Sequence, residues 1–193
     1  MRRLCVFCGS KTGNQIYASA ALHFARLMYE HGWGLVFGGG HVGLMGVIAD
    51  AMLDLGGEVI GVIPQALVER ELAHERVKQM HIVAGMHERK ALMAELSDGF
   101  VALPGGYGTL EELFEIVSWA QLGLHQKPIG LLNVAGFFDP LLEMLQRMVD
   151  TGFLKEKHRR LLLDANESHE LLVLLEKAHA LRSDARHVRS DFR

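Results

Sequence analysis

The stretch that decides the fold is GFVALPGGYGTLEELFEIVSWAQL, residues 99 to 122. It opens with an apolar run typical of a buried strand and passes through a turn that holds a proline and three glycines. Apolar residues at helical spacing follow the turn. A buried strand, a tight turn and a helix form half of a βαβ unit. The stretch therefore predicts a strand over residues 99–106 and a helix over residues 109–122.

The same alternation fills the rest of the chain. The apolar runs carry Val, Ile, Leu and Phe without regular polar alternation, as strands covered on both faces do. The pattern predicts an α/β fold, a doubly wound parallel sheet with helices on both faces. The strands are predicted at 4–8, 34–39, 58–64, 79–83, 99–106, 128–133 and 159–164. The helices are predicted at 14–31, 43–55, 87–97, 109–122, 138–151 and 167–182.

Composition limits the function. The 193 residues are 49% hydrophobic and carry a formal net charge of −3, so the chain lacks the basic excess with which proteins bind nucleic acids or membrane surfaces. The N-terminal stretch MRRLCVFCGSKTG holds too few consecutive apolar residues for a signal sequence or a membrane span. We therefore predict a cytoplasmic protein whose partners are small molecules or a second copy of itself.

No repeat or linker divides the chain, so a single domain over residues 1–182 is predicted. Residues 183–193, SDARHVRSDFR, have few apolar side chains. This composition favours a flexible tail over a binding arm.

Cys5 and Cys8 are the only cysteines, and their C-x-x-C spacing is shared with redox and zinc motifs. Here the pair lies in a predicted strand, where residues three apart point to opposite faces. A zinc site would need two more ligands, and the sequence has no H-E-x-x-H motif. We predict buried structural thiols and no metal site.

Three glycine-rich loops follow predicted strands, at residues 9–14, 38–46 and 104–108. Ligands bind at the carboxyl ends of parallel strands, and glycine loops at helix starts present backbone N–H groups to phosphates. Candidate phosphate contacts in the first two loops are Ser10, Gly39, Gly40 and Gly43.

Gly38, Gly40 and Gly43 fit the dinucleotide pattern G-x-G-x-x-G. The acidic residue expected about 20 positions later to bind the ribose is Glu58, which begins its strand and so lies at the wrong edge of the sheet. The phosphate loop G-x-x-x-x-G-K-[ST] is absent from the sequence. A nucleoside monophosphate fits better than a dinucleotide.

Three further places in the sequence have competing interpretations. Thr109 and Glu112 match a capping box, with Thr109 as N-cap, but the glycines before them exceed what a cap needs. Arg89, in the stretch MHERK, is either part of a solvated basic turn or a ligand for a phosphate or carboxylate. Glu71 is either a ribose or base contact or a surface charge.

The motifs PGGYGTLEE (104–112), GGGHVGLMG (38–46), CGS (8–10) and MHERK (86–90) resemble the LOG ("Lonely Guy") family, once labelled lysine decarboxylase-like. The resemblance implies a Rossmann-like homodimer without a cofactor. It also implies cleavage of the N-glycosidic bond of nucleoside 5'-monophosphates, which releases ribose 5-phosphate and a cytokinin base or adenine. A decarboxylase using pyridoxal phosphate is disfavoured, because neither Lys90 nor Lys127 has a recognisable Schiff-base setting.

Through this resemblance the catalytic arginine and glutamate fall on Arg89 and Glu112. Ser118 stands where the family usually has threonine. The other implied substrate contacts are Glu71, Lys90, Gly105, Gly106, Tyr107, Gly108, Thr109, Leu110 and Glu111.

Glycosidic cleavage builds positive charge on the ribose, so an ionised Glu112 is expected to stabilise that charge, polarise water or attack C1'. Arg89 is expected to position the substrate, while the 105–109 amides hold the phosphate. The alternative hypothesis is a nucleotide-binding or carrier protein of the same fold without catalysis.

Overall fold

The computed structural model describes residues 2–70 and 72–190, with side chains as far as Leu181. The strands are β1 Arg2–Phe7, β2 Trp33–Phe37, β3 Val59–Pro64, β4 Gln79–Val83, β5 Gly99–Ala102, β6 Ile129–Leu132 and β7 Leu162–Ala165. The helices are α1 Gln15–Glu30, α2 Gly43–Asp54, α3 Gln65–Val68, α4 Met86–Leu96, α5 Tyr107–Gln121, α6 Asp139–Asp150, α7 Glu156–Arg159 and α8 Ser168–Ser190, with a 3-10 turn at Val134–Gly136.

The strands form one sheet in the order β4-β3-β2-β1-β5-β6-β7, and every neighbouring pair is parallel. The chain lays down β1 to β4 in one direction and then returns to add β5 on the free side of β1. The predicted doubly wound parallel sheet is therefore confirmed. None of the described helices is long and apolar enough to cross a membrane.

Apolar side chains on the two faces of the sheet form two cores. Along β1, Leu4 and Val6 belong to the core beneath α1, α2 and α8, whereas Cys5 and Phe7 belong to the core beneath α4, α5 and α6. Because both faces are covered, the central strands are buried along their length, as their sequences indicated. The edge strand β4 differs, and its Ile82 is 54% exposed.

Several boundaries differ from the sequence prediction. The short helices α3 and α7 were not predicted, and α7 ends at Arg159, the first residue assigned to the last strand, which instead begins at Leu162. Helix α8 continues to Ser190, beyond the predicted end at residue 182. The division into a domain and a flexible tail stays a prediction.

Cys5 and Cys8 are both free and buried, and they lie on opposite faces of the sheet. Burial is the main cause that raises the pKa of each thiol well above its ordinary value. The prediction of buried structural thiols is confirmed. Among the described residues, no group of three or more His, Cys, Asp or Glu side chains could hold a metal ion.

Candidate active site

Loops from three parts of the chain meet between β1 and β5, where the order in which the chain adds strands to the sheet reverses. The Gly9 N–H donates to the Pro104 carbonyl at 3.1 Å, and the Leu44 N–H donates to the Gly9 carbonyl at 2.9 Å. These bonds join the loop after β1 to the loop after β5 and to the start of α2. In doubly wound sheets this crevice is the usual ligand site.

Glycine is required where these loops touch. Gly43 has φ +61°, and a Cβ there would lie 2.2 Å from the backbone carbonyl carbon of Ser10. A Cβ on Gly105 would lie 2.1 Å from the Thr109 hydroxyl oxygen. Both positions exclude a side chain because another part of the site fills the space.

A cavity of about 340 Å³ opens between the loops after β1, β5 and β6. It brings together Ser10, Gly105 and Gly106, three of the predicted substrate contacts. Its apolar walls include Tyr17 and Phe137, whose rings meet edge to face at 5.5 Å. Sequence reasoning missed both aromatic residues, because they lie far apart in the chain and carry no motif.

The second glycine loop has a different environment. Gly40 forms an antiparallel bridge with Ala73, and the Gly39 carbonyl accepts a hydrogen bond from the His74 N–H at 2.9 Å. Gly39 and Gly40 therefore pack against the segment after α3, and they do not line the 340 Å³ cavity. Glu71, predicted to contact the ribose or base, lies outside the described residues.

Arg89 and Glu112 form a buried ion pair beside these loops. The Arg89 Nη1 lies 3.1 Å from Glu112 Oε1, and both side chains are 9% exposed. Arg89 also donates from Nε to the Val62 carbonyl at 3.1 Å and from Nη2 to the Gly38 carbonyl at 3.3 Å. The arginine is thus fixed at the carboxyl ends of β2 and β3, which excludes the solvated-turn interpretation.

Burial raises the pKa of the Glu112 carboxyl above its ordinary value, and the Arg89 guanidinium opposes that rise. The sequence analysis expected Glu112 to be ionised and predicted that its helix starts at residue 109. Helix α5 begins at Tyr107, so Glu112 stands in its second turn, where desolvation has the larger effect. Such a carboxyl can exchange a proton closer to neutral pH.

The predicted capping box is wrong. Gly106 is the N-cap of α5, in an extended conformation, and no side chain caps the helix. The Leu110 N–H donates to the Gly106 carbonyl at 3.2 Å, which starts the helix before Thr109. Thr109 is buried against Gly105. Neither Thr109 nor Glu112 is therefore explained by capping.

Three other residues predicted to contact the substrate lie in different environments. Lys90 is buried between the carboxylates of Glu111 and Glu115. Tyr107 is 94% exposed at the start of α5. Ser118 lines a separate cavity of about 190 Å³ between α5, α6 and α7, so the structure does not bring it to the glycine loops.

The structure confirms that Glu58 cannot serve a dinucleotide ribose at this edge of the sheet. Glu58 precedes β3 at the amino end and pairs with Arg3 through two contacts of 2.9 Å. That pairing holds the pKa of the Glu58 carboxyl below its ordinary value. Glu58 is a structural ion-pair partner.

The chain is similar to known proteins over most of its length. Residues 45–175 match the family model described as "Possible lysine decarboxylase". The cytokinin riboside 5'-monophosphate phosphoribohydrolase LOG of Oryza sativa subsp. japonica is 51% identical over 91% of this chain and 73% of its own length. The corresponding LOG2 protein of Arabidopsis thaliana is 50% identical over 91% of this chain and 83% of its own length.

Solved structures share the fold at lower identity. The molybdenum cofactor binding protein of Rippkaea orientalis superimposes with a TM-score of 0.69 at 19% identity, covering 91% of this chain and 96% of that one. The Moco carrier protein of Chlamydomonas reinhardtii gives a TM-score of 0.69 at 19% identity, covering 93% and 98%. This chain is identical to the rice and Arabidopsis proteins at about half of the residues aligned, over 91% of its length. It therefore belongs to the LOG family, within the group described as possible lysine decarboxylases.

Proposed function

We propose that this protein is a phosphoribohydrolase that cleaves the N-glycosidic bond of purine nucleoside 5'-monophosphates. Water adds to C1' of the ribose, the bond from C1' to the base nitrogen breaks, and its electron pair leaves with the base. The base takes up a proton, and the products are free base and ribose 5-phosphate. The observation that carries the proposal is the buried Arg89–Glu112 pair beside the glycine loops, in a chain 51% identical to a named phosphoribohydrolase.

Glu112 is the proposed acid-base group. Its burial, which raises the pKa of the carboxyl, suits it to accept the proton of the attacking water as C1' becomes positive. The carboxylate also stabilises the oxocarbenium-like ribose through its charge.

Arg89 is the proposed orienting residue. The carbonyls of Val62 and Gly38 fix two of its nitrogens, so the guanidinium presents one geometry to Glu112 and to the substrate. A fixed cation there stabilises the negative charge that develops on the departing base.

The 5'-phosphate is proposed to bind at the start of α5. Gly106 and Gly108 are exposed there, and the first N–H groups of a helix attract anions. Ser10 faces the same cavity as Gly105. Further proposed substrate contacts are Gly39, Gly40, Gly43, Glu71, Lys90, Tyr107, Thr109, Leu110, Glu111 and Ser118.

Two substrates are proposed, a cytokinin riboside 5'-monophosphate and AMP. Incubation of the protein with isopentenyladenosine monophosphate or AMP, followed by chromatography, should show the free base and ribose 5-phosphate. Glu112→Gln should lower kcat by about 100-fold or more, because the amide can neither accept a proton nor carry the charge. Glu143→Gln, which removes an exposed carboxylate on α6, should leave kcat unchanged.

The outcome that would overturn the proposal is tight binding of both nucleotides without base release. That result would instead identify a nucleotide-binding or carrier protein. Full activity of Glu112→Gln would remove Glu112 from the chemistry.

The protein is further proposed to form a homodimer through the outer face of α5 and the loop after it. Leu122 and Leu124 are 72% and 70% exposed there, and Tyr107 lies uncovered at the other end of α5. Apolar side chains exposed in a group are typical of an interface. The cytoplasmic location stays a prediction.

A further inference from the structure

The segment between α3 and β4 contains a short stretch, residues 72–77, that packs on the second glycine loop. We call this stretch the strap. The Leu72 carbonyl accepts a hydrogen bond from the His41 N–H at 3.0 Å, and Ala73 forms the antiparallel bridge with Gly40. The strap therefore holds the backbone of the glycine loop at two successive residues.

His74 contacts the residues on both sides of Gly38. Its imidazole ring meets the Phe37 ring edge to face, with centroids 6.3 Å apart, and its backbone N–H donates to the Gly39 carbonyl at 2.9 Å. The Gly38 carbonyl between them accepts the hydrogen bond from Arg89 Nη2. Because Phe37 belongs to the core beneath α1, α2 and α8, whereas α4 covers the other face, His74 and Arg89 approach this strand end from opposite faces of the sheet.

The imidazole of His74 also contacts α2. The residue is 5% exposed, and its Nε2 lies 3.4 Å from Asp50 Oδ1 on that helix. A carboxylate only accepts hydrogen bonds, so the geometry assigns the ring hydrogen of His74 to Nε2. Nδ1 is buried and has no hydrogen-bond partner within the described part of the chain. Nε2 is thus the ring nitrogen that serves the contact with α2.

A histidine is a poor choice if position 74 serves packing alone. A buried polar atom without a partner, such as Nδ1, costs stability that an apolar side chain of similar size does not. The neighbouring Arg76 pairs with Asp50 and Asp54 at 2.5 and 2.6 Å, but its side chain is 52% exposed, and exposed ion pairs contribute little. Packing alone therefore gives no reason for the imidazole.

We propose that His74 is a positioning residue, whose Nε2 contact with Asp50 fixes the strap on α2 and so holds the Gly38 carbonyl in place for Arg89. This inference rests on the proposed role of Arg89. If the strap shifts, Phe37 and Gly39 lose contacts on either side of Gly38, and the guanidinium loses one of the two carbonyls that orient it. Lost orientation slows the chemical step more than it weakens substrate binding.

The first test is the kinetics of His74→Leu with AMP. Leucine is of similar size and removes both ring nitrogens. We expect kcat to fall by about 10-fold or more and KM to change by less than about 2-fold. The midpoint of chemical denaturation should stay or rise, because the unpartnered Nδ1 is gone.

Other results of this test would overturn the proposal. Activity and midpoint falling together would identify a residue with a structural role only. A raised KM at unchanged kcat would place the effect of the strap on substrate binding, and unchanged kinetics would show that Arg89 does not depend on the strap.

His74→Gln is the conservative variant. The amide nitrogen of glutamine stands as many bonds from Cβ as Nε2 does, so it can meet Asp50, and most of kcat should remain. His74→Asn places its amide where the unpartnered Nδ1 stood and should resemble His74→Leu. His81→Leu, at an exposed histidine on β4, is the matched control and should leave kcat unchanged. Equal losses for His74→Gln and His74→Leu would contradict a role for Nε2.

Asp50→Ala removes the other half of the contact. It should lower kcat as His74→Leu does, and the double variant should be no slower than either single variant, since the same contact is lost in all three. Losses that multiply in the double variant would show that the two residues act separately, and would overturn the proposal. If His74→Leu does not fold, Asp50→Ala decides, because Asp50 is 48% exposed.

A measurement without turnover separates this inference from the proposed function. Arginine labelled with ¹⁵N gives a signal for the Arg89 Nε–H that is identified by its loss in Arg89→Lys. That hydrogen is donated to the Val62 carbonyl in a buried setting, so its exchange with water is slow. His74→Leu should raise the exchange rate by about 5-fold or more, and His81→Leu should not change it.

An exchange rate that His74→Leu leaves unchanged would overturn the proposal, whatever the kinetics show. Faster exchange in a protein that releases no base would refute the proposed function alone, because the strap would still hold Arg89 in place.

Discussion

At the scale of single residues, the position of Arg89 depends on a side chain that is missing from Gly38. A Cβ on Gly38 would lie 1.7 Å from Arg89 Nη2, closer than any contact allows. Gly38 does not have a positive φ, so backbone freedom is not the reason for glycine here. The residue is glycine because the guanidinium fills the adjacent space.

Gly38→Ala should therefore act as an indirect mutation of Arg89. The new methyl group displaces the guanidinium from the Gly38 carbonyl and from Glu112, so we expect kcat on AMP to fall by about 100-fold. The free energy of unfolding should fall by only about 1–3 kcal/mol, as for overpacking. Base release and chemical denaturation measure the two effects.

Gly85→Ala is the matched control, because Gly85 lies at the start of α4 and a Cβ there meets nothing within 4 Å. It should keep nearly full activity. Equal activity of Gly38→Ala and Gly85→Ala would show that Arg89 can act from another position.

The sequence pointed to Arg89 and Glu112 but not to their contact. They are 23 residues apart on different helices, and only the packing of α4 beside α5 brings them together. Their catalytic roles stay predictions. The sequence likewise gave no sign that the carboxylates of Glu111 and Glu115 enclose Lys90.

At the scale of elements, the alternation of apolar runs and helical patterns was enough to predict seven strands and their parallel arrangement. Even the four-residue strands β5 and β6 stand in continuous apolar runs, whereas the four-residue helices α3 and α7 are too short to show a helical period. The start of α5 was misplaced because Thr109 and Glu112 fit a capping box, while the exposed Gly106 begins the helix. The glycine turn, which the contacts between the loops require, sets the start of α5 and overrides the local capping pattern.

The docking of α2 on the loop after β1 gives a prediction about stability. Gly43→Ala adds strain from φ +61° and a contact of 2.2 Å with the Ser10 backbone. We expect it to lower the free energy of unfolding by about 3 kcal/mol or more, measured by chemical denaturation at one protein concentration.

Gly152→Ala provides the comparison. Gly152 has φ +81°, but a Cβ there meets nothing within 4 Å. Only the backbone strain remains, which costs about 1–2 kcal/mol. Equal destabilisation by the two substitutions would mean that the loop contact at Gly43 relaxes freely.

At the scale of the whole molecule, the proposed homodimer predicts a particle of about twice the chain mass of 21.4 kDa in analytical ultracentrifugation. Leu122→Glu and Leu124→Glu together should shift it towards the monomer, because each places a charge where apolar side chains meet. Phe153→Glu changes an apolar residue that is 89% exposed in the loop after α6, outside the proposed interface. It should leave the mass unchanged, and a monomeric unmodified protein would refute the interface.

The return of the chain to β1 also orders events during synthesis. After β4 the growing chain has made four of the seven strands of its sheet, but one edge of β1 has no partner until β5 is made. The contact of Gly9 with Pro104 and the contact of Arg89 with Glu112 can form only after the ribosome has translated β5 and the first turns of α5. A nascent chain that ends at β4 therefore leaves one edge of β1 unpaired and lacks Arg89, Pro104 and Glu112. Translation through residues 99–122 supplies both the missing neighbour of β1 and the partners of Gly9 and Arg89 in the site.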